Sequence, residues 1–286
     1  MIVVTGATGR LGSQIVQRLL ERIPADQVAV SVRDLDRAAE LSTRGVRVRR
    51  GDFADPGSLA SAFEGAEQVL VVSVDRLGEE AVRQHQSAID AAYRAGARRV
   101  FYTSHQAANP DSVFAPARDH AATEAYLAAS GRPFTALRDG FHAATVPNLL
   151  GQALETGELV APADGPVSWT THADLAEAAA VVLTDASRPD DDHLTLTAAE
   201  AVDLHGVADL LSELTGRTIR RVVVDDDDYV AAQVGRGVPE HAARLFLTMF
   251  HAARQGEFAV TDPALQTLLG RAPQPIRSTL QAATAQ

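Results

Sequence analysis

The 286-residue chain carries a net charge of −11 at pH 7, has no cysteine, and has arginine as its only basic residue besides histidine. Lacking cysteine, it can form no disulfides, thiolate zinc sites, iron–sulfur clusters or cysteine nucleophiles, and lacking lysine, it can form no Schiff base or Walker-type phosphate site. The acidic balance argues against a nucleic-acid partner, which would recruit clustered cations, and no apolar stretch approaches the ~20 residues needed to cross a membrane.

The N-terminus runs directly into a strand-like stretch with no basic leader or cleavage site, so a soluble, cytoplasmic protein is expected. Short apolar, β-branched runs predict strands at Ile2–Thr5, Val28–Val32, 46–49, 68–73, 99–103 and 134–138. Between them, helical spacing covers 11–22, 35–44, 58–63, 79–95 and 119–130. Continuous apolar strands suit burial on both faces, and strand–helix alternation implies a Rossmann-type, doubly wound α/β fold with a parallel sheet. After Gly140 the rhythm loosens into helical pieces at 146–155, 171–184, 207–215, 226–236 and 239–255, and a strand near 193–198 is expected to return to the main sheet. Acidic runs at 190–192 and 225–228 read as solvated loops beside helix N-termini.

The first strand leads into Thr5-Gly6-Ala7-Thr8-Gly9-Arg10-Leu11-Gly12, followed at once by a helix pattern. Gly6 permits the tight turn, Gly9 lets the backbone approach a pyrophosphate, and Gly12 allows helix and strand to pack closely. At the first strand-to-helix turn of a βαβ unit, this string reads as a dinucleotide site. In an NAD-type site an acidic residue ends the second strand; here Arg33 stands there, suited to a 2′-phosphate. Arg37 either adds a second contact or is a solvated helix residue, and Asp34 and Asp36 argue for NAD(H). NADP(H) is favoured over NAD(H). Asp52 and Phe53 either meet the adenine or form a turn in which Asp52 caps a helix near Pro56. By the rule that ligands lie at the carboxyl ends of parallel strands, Ser73, Val74, Thr103 and Ser104 should line the nicotinamide end. Residues 1–142 are therefore expected to form the NADP(H) domain, and 143–286 a smaller, mostly helical and discontinuous substrate lobe.

With these residues in place, the chain resembles the NmrA-like group of atypical short-chain dehydrogenases/reductases, and within it the NADPH-dependent quinone oxidoreductases. The similarity runs through Val4–Gly12, Val32-Arg33, Arg50-Gly-Asp-Phe53, Gln84-His85 with Ala91-Ala92, and Ala95-Gly96. It continues through Tyr102-Thr103-Ser104, His120 with Thr123-Glu124, Leu137-Arg138, Asp174-Leu-Ala176 and Gly256-Glu-Phe258. The resemblance implies an NADP(H) domain, a smaller substrate lobe and a cleft between them, with Gly6, Thr8, Gly9, Arg10, Leu11, Arg33, Asp52, Phe53 and Ser73 at the cofactor.

The wider superfamily uses a Tyr-x-x-x-Lys pair, which a chain without lysine cannot form. His120 and Glu124 lie one turn apart in the comparable helix: His120 could orient the ribose or relay a proton with Glu124 fixing its tautomer, or the two could be a surface pair. Reduction of a quinone gives a delocalised, weakly basic phenolate, so hydride positioning with solvent or a histidine as proton donor can suffice. Phe141 could stack on a flat ring, and His142 and His105 could bond a quinone oxygen; packing roles are the alternative for all three. These positions beyond strand ends rank above His193, His205 and His241. Asp174 reads as a residue that caps or pins a helix, and the stripe of Phe246, Met249, Phe250 and His251 as core packing. The histidine spacing offers no helix metal motif, and no Gly-x-Ser-x-Gly elbow is present. A quinone reductase is the leading expectation, with a small quinone-like substrate as partner, no nucleic acid, no membrane, and a homodimer left open. A non-catalytic NADP(H) sensor and a tailoring reductase for aromatic polyketides stand as alternatives.

Overall fold

The computed structural model describes residues 1–185 and 192–285, so residues 190 and 191 of the first acidic run lie outside the described residues. The described residues form nine strands: β1 (Ile2–Thr5), β2 (Val28–Val32), β3 (Arg47–Arg50), β4 (Gln68–Val71), β5 (Arg99–His105), β6 (Phe134–Asp139), β7 (Glu158–Pro162), β8 (His193–Leu196) and β9 (Arg220–Val224). Seven pair in parallel in the order β3-β2-β1-β4-β5-β6-β8. The order reverses between β1 and β4, the switch point at which a doubly wound sheet opens its ligand crevice. Strand β8 joins the main sheet across a long excursion, with Leu137 opposite Leu194.

The helices α1 (Arg10–Leu20), α2 (Ala39–Thr43), α3 (Pro56–Ala62), α4 (Glu79–Arg94) and α5 (Ala115–Ala129) connect the first six strands. After them come α6 (Val146–Leu149), α7 (Ala153–Thr156), α8 (His172–Thr184), α9 (Leu204–Thr215), α10 (Asp226–Gly235), α11 (Glu240–Arg254), α12 (Ala264–Leu269) and α13 (Ile276–Thr284). On one sheet face, Ile15 and Leu19 of α1 share a core with Leu175, Ala179 and Leu183 of α8. On the other, Leu59, Phe63, Ile89, Tyr102 and Leu127 pack together. A third core unites Phe141, Trp169, Leu211, Phe250 and Phe258, and it takes in Ala107 and Ala117 from the first half of the chain.

Several elements differ from the sequence reading, each for a local reason. The expected 119–130 helix begins at Ala115, where Pro116 supplies the fixed φ of a first turn. The expected 146–155 helix breaks at Gly151, whose φ is +55°, a conformation that ends a helix. The 35–44 segment divides into a 3-10 turn over Asp36–Ala38 and the short α2. Strands β7 and β9 form a separate two-stranded parallel sheet that the sequence reading did not include. The Arg221 side chain, only 5% exposed, holds this sheet to the neighbouring loop by donating to Ala161 O (2.8 Å) and Asp164 Oδ1 (3.2 Å). A buried arginine inside an apolar run hides the strand from pattern reading. Met249 and Phe250 are buried as expected, whereas Phe246 is 47% exposed and leaves the expected stripe. Asp174 does pin the chain: it is fully buried, accepts from Thr171 Oγ1 (2.9 Å) and the Gln274 N–H (2.7 Å), and ion-pairs with Arg271 (2.8 Å).

A close backbone approach fixes α1 against β1. A Cβ on Gly12 would stand 2.3 Å from Gly6 O and 2.8 Å from Gly6 C, backbone atoms that cannot swing aside. Gly12→Ala is therefore expected to cost about 2 kcal/mol or more, read as a lower midpoint in urea unfolding. An unchanged midpoint would show that the helix start can shift freely.

Candidate active site

The turn after β1 is built by Gly6, which has φ +60°, and closes with Gly9 N–H donating to Gly6 O at 2.9 Å. Gly9 then caps α1 without any side-chain hydrogen bond, leaving the first-turn N–H groups of Arg10, Leu11 and Gly12 without side-chain acceptors. These donors and the positive end of an eleven-residue helix form an anion cradle. The Leu11 side chain sits in the core beside Ile15, so only its backbone faces this cradle. Arg33, the first residue beyond β2, is exposed and makes no hydrogen bond or ion pair among the described residues. Arg37 reaches back to the same turn, donating from Nη2 to Thr8 O at 3.3 Å. Asp34, counted above in favour of NAD(H), instead accepts the Asp36 N–H at 3.0 Å and closes the 3-10 turn. The uncapped N–H groups and the unpaired guanidinium fit a dinucleotide that carries an additional phosphate.

At the end of β3, the Asp52 carboxylate accepts the Ala54 N–H at 3.0 Å, while its own N–H donates to Ser58 Oγ at 2.9 Å. The reading of Asp52 as cap of the next helix does not hold, because Asp55 occupies the cap position of α3. Phe53 is half-buried against the sheet core. At the end of β4, the Ser73 N–H donates to Thr103 Oγ1 (2.9 Å), which donates to Ser73 Oγ (3.2 Å). The next N–H, from Val74, donates to His85 Nε2 at 3.0 Å. Ser104 is 4% exposed and its hydroxyl donates to Glu124 at 2.5 Å, so the hydroxyl is already taken.

The expected His120–Glu124 pairing is not made. Glu124 turns to Arg138, accepting from Nε (3.0 and 3.2 Å) and Nη2 (2.6 Å). A forked guanidinium is a stronger partner for a half-buried carboxylate than a neutral imidazole one turn away. His120 is also no surface residue: it is half-buried, with Nδ1 2.8 Å from the Tyr102 hydroxyl. That hydroxyl lies 3.3 Å from His85 Nδ1, which is 3.0 Å from Thr123 Oγ1. The sequence marks Tyr102 only as part of a strand-end motif, and its role as a partner emerges from the fold. Because β5 is buried along its whole middle, no apolar alternation marks the side chain as turned toward α4 and α5.

His105 follows at the end of β5, its Nδ1 accepting the Ala107 N–H at 3.1 Å. Its ring stacks beside His120 (centroids 6.1 Å, 24°) and meets Phe114, Phe141 and Phe258 at 5.6–5.8 Å. Phe141 is 9% exposed and also packs on Trp169, so it helps wall His105 in. His142 pairs instead with His172 (centroids 4.4 Å), at the start of α8. Burial pushes His85 and His105 down to about 4 and His142 to about 3. Burial, then the neighbouring His105, His85 and His142, carries His120 well below the usual range. All four imidazoles are neutral at pH 7. Among the described residues no group of three or more potential metal ligands occurs. No helix among the described residues is long and apolar enough to cross a membrane. A 390 Å³ cavity lined by Glu200, Val202, Asp209 and Arg277 shares no residue with this site.

The pattern of the NmrA-like family matches residues 1–275. The chain belongs to the NmrA-like family. It is similar to Quinone oxidoreductase 2 of Escherichia coli (strain K12), 32% identical over 273 residues that cover 94% of each chain. It is similar also to the solved NADPH complex of an NADPH-dependent quinone oxidoreductase from Escherichia coli. There the TM-score is 0.93 at 30% identity, over 99% of this chain and 100% of that one. A Citrobacter sp. triphenylmethane reductase complexed with NADP(H) gives 0.92 at 32% identity, over 99% and 100%.

His85 gives this NmrA-like chain a pH-dependent stability. Its folded-state pKa, about 4, lies below the ordinary 6.5, so below pH 6.5 the unfolded chain binds a proton that the folded chain refuses. The contribution, about 3 kcal/mol at most, is complete above pH 6.5 and is lost as pH falls toward 4. Urea unfolding of the wild type and His85→Gln should show a stability gap that narrows from pH 7.5 to pH 5. Parallel pH responses would contradict this origin.

Proposed function

We propose that this chain is an NADPH-dependent reductase that passes a hydride to a quinone or quinone-like carbonyl. It is an NAD(P)H-dependent oxidoreductase with NADP(H) as its cofactor, as its similarity to proteins of that activity and cofactor supports. In this reading residues 1–142, with β8 returning, hold the cofactor, and 143–286 form the substrate lobe. The Gly6, Gly9 and Gly12 turn grips the diphosphate, Arg33 takes the 2′-phosphate, and Arg37 stands beside Thr8 over the same turn. Asp52 and Phe53 border the adenine; Ser73, Val74, Thr103 and the Ser104 backbone border the nicotinamide.

The observation that carries the choice of acceptor is a set of neutral imidazoles in an aromatic enclosure, in a chain with no lysine. The bound cofactor supplies a hydride. An isolated ketone would then become a basic alkoxide in need of a strong acid, whereas a quinone becomes a delocalised phenolate. His105, His120 and His142 can donate hydrogen bonds to such an oxygen, solvent can complete its protonation, and Phe141 helps enclose the ring.

Steady-state oxidation of NADPH with benzoquinone or menadione tests the reading, and acceptor-dependent turnover is expected. Tight NADPH binding without turnover would make the chain a nucleotide sensor instead. Arg33→Ala should weaken NADPH binding by tenfold or more, the worth of a charge-assisted hydrogen bond of ~1.5–3 kcal/mol, and leave NADH binding within about twofold. Equal losses for the two cofactors would show that Arg33 does not hold the 2′-phosphate.

A further inference from the structure

The hydrogen-bond partners of three imidazoles determine which nitrogen of each carries the proton. A backbone N–H can only donate, so the Val74 N–H makes His85 Nε2 an acceptor and places the proton of neutral His85 on Nδ1. Thr123 Oγ1 donates to Asp119 O at 2.9 Å and so can accept from His85 Nδ1. The Tyr102 hydroxyl, 3.3 Å from that same N–H, can accept from it too, and its own proton is directed to His120 Nδ1 at 2.8 Å. His120 therefore carries its proton on Nε2. His105 reaches the same tautomer by another route, because the Ala107 N–H donates to its Nδ1. Neither Nε2–H has a partner among the described residues, and the two rings stand nearly parallel, the His105 ring also meeting Phe141.

We propose that Tyr102 is a positioning residue that locks His120 as the Nε2–H tautomer, so that His105 and His120 form a two-donor site for the acceptor's anionic oxygen. The acceptor role rests on the reductase reading above. The quinone gains a hydride and becomes the hydroquinone monoanion while NADPH is oxidised to NADP⁺, and its last proton comes from water. The two N–H groups stabilise the charge as it develops and give up no proton. Fixed donors of this kind cost no reorganisation during the reaction. Tyr102 is fully buried in the core beneath α4 and α5, so its hydroxyl keeps one geometry.

Tyr102→Phe keeps the ring and deletes only the hydroxyl. Two acceptors separate oxyanion stabilisation from hydride positioning: menadione, whose oxygen becomes anionic, and malachite green, a carbocation that accepts hydride without forming an oxyanion. The variant should lose tenfold or more in kcat with menadione and less than threefold with malachite green. Equal losses with both would overturn the proposal. His120→Gln, which can place an amide N–H near the Nε2 position but cannot act as an acid, should recover part of the menadione turnover that His120→Ala loses. Failure of Gln to exceed Ala would also overturn it. Nitrogen-15 spectra of the imidazoles read the tautomers without turnover: Nε2–H for His105 and His120 in the wild type, and a mixed His120 signal in Tyr102→Phe. Nδ1–H at His120 in the wild type, alongside normal turnover, overturns the positioning by Tyr102 alone. Absence of turnover with both acceptors overturns the reductase reading and the oxyanion role together.

Discussion

The backbone contact between the first strand and the first helix sets the geometry from which the proposed function follows. Because Gly12 has no side chain, α1 can start directly against the Gly6 carbonyl, and its uncapped N–H groups then look out over the carboxyl edge of the sheet. The parallel order β3-β2-β1-β4-β5-β6-β8 brings every other strand end to that same edge. Arg33, the 73–74 segment, His105 and Phe141 thus share one side of the molecule although more than a hundred residues separate the first from the last. An unpaired cation, an anion cradle and an aromatic enclosure follow one another across the crevice.

The second constraint is burial. Burial disfavours the charged forms of the imidazoles of His85, His105, His120 and His142. With no lysine in the chain, the crevice has no ammonium to acidify a phenol, and Tyr102 itself, fully buried, is pushed further from ionisation. In the proposed reading, a site of neutral donors stabilises charge without transferring a proton, which suits acceptors whose reduced products need no strong acid. The shortage of acid–base groups is in this sense a statement about substrate chemistry.

The parts of this arrangement legible in the sequence are those with local causes. The glycine turn, the alternating strands and helices and the arginine at the end of β2 each follow from short-range periodicity or a fixed spacing, and even the returning β8 showed as an apolar run. Interactions decided by competition between distant groups were not legible. Glu124 lies one turn from His120, yet Arg138, on a strand that pairs with β5, takes it away. The link from Tyr102 to His120 joins a strand to a helix and depends on which way β5 faces, information that a spacing rule between helix residues does not contain. Strand β9, the partner of β7, is hidden in the sequence because Arg221, a charged residue, is buried there among carbonyls that only the folded chain supplies.

The central electrostatic claim concerns the cofactor's phosphates and can be isolated from the nicotinamide. Calorimetric titration of the wild-type protein with ADP-ribose and with its 2′-phosphorylated counterpart compares two ligands that differ by one phosphate. Both are expected to bind, the phosphorylated one at least tenfold more tightly at low salt, with the gap closing as ionic strength rises. Equal affinities would remove Arg33 from the site, and no heat with either ligand would contradict the dinucleotide crevice altogether.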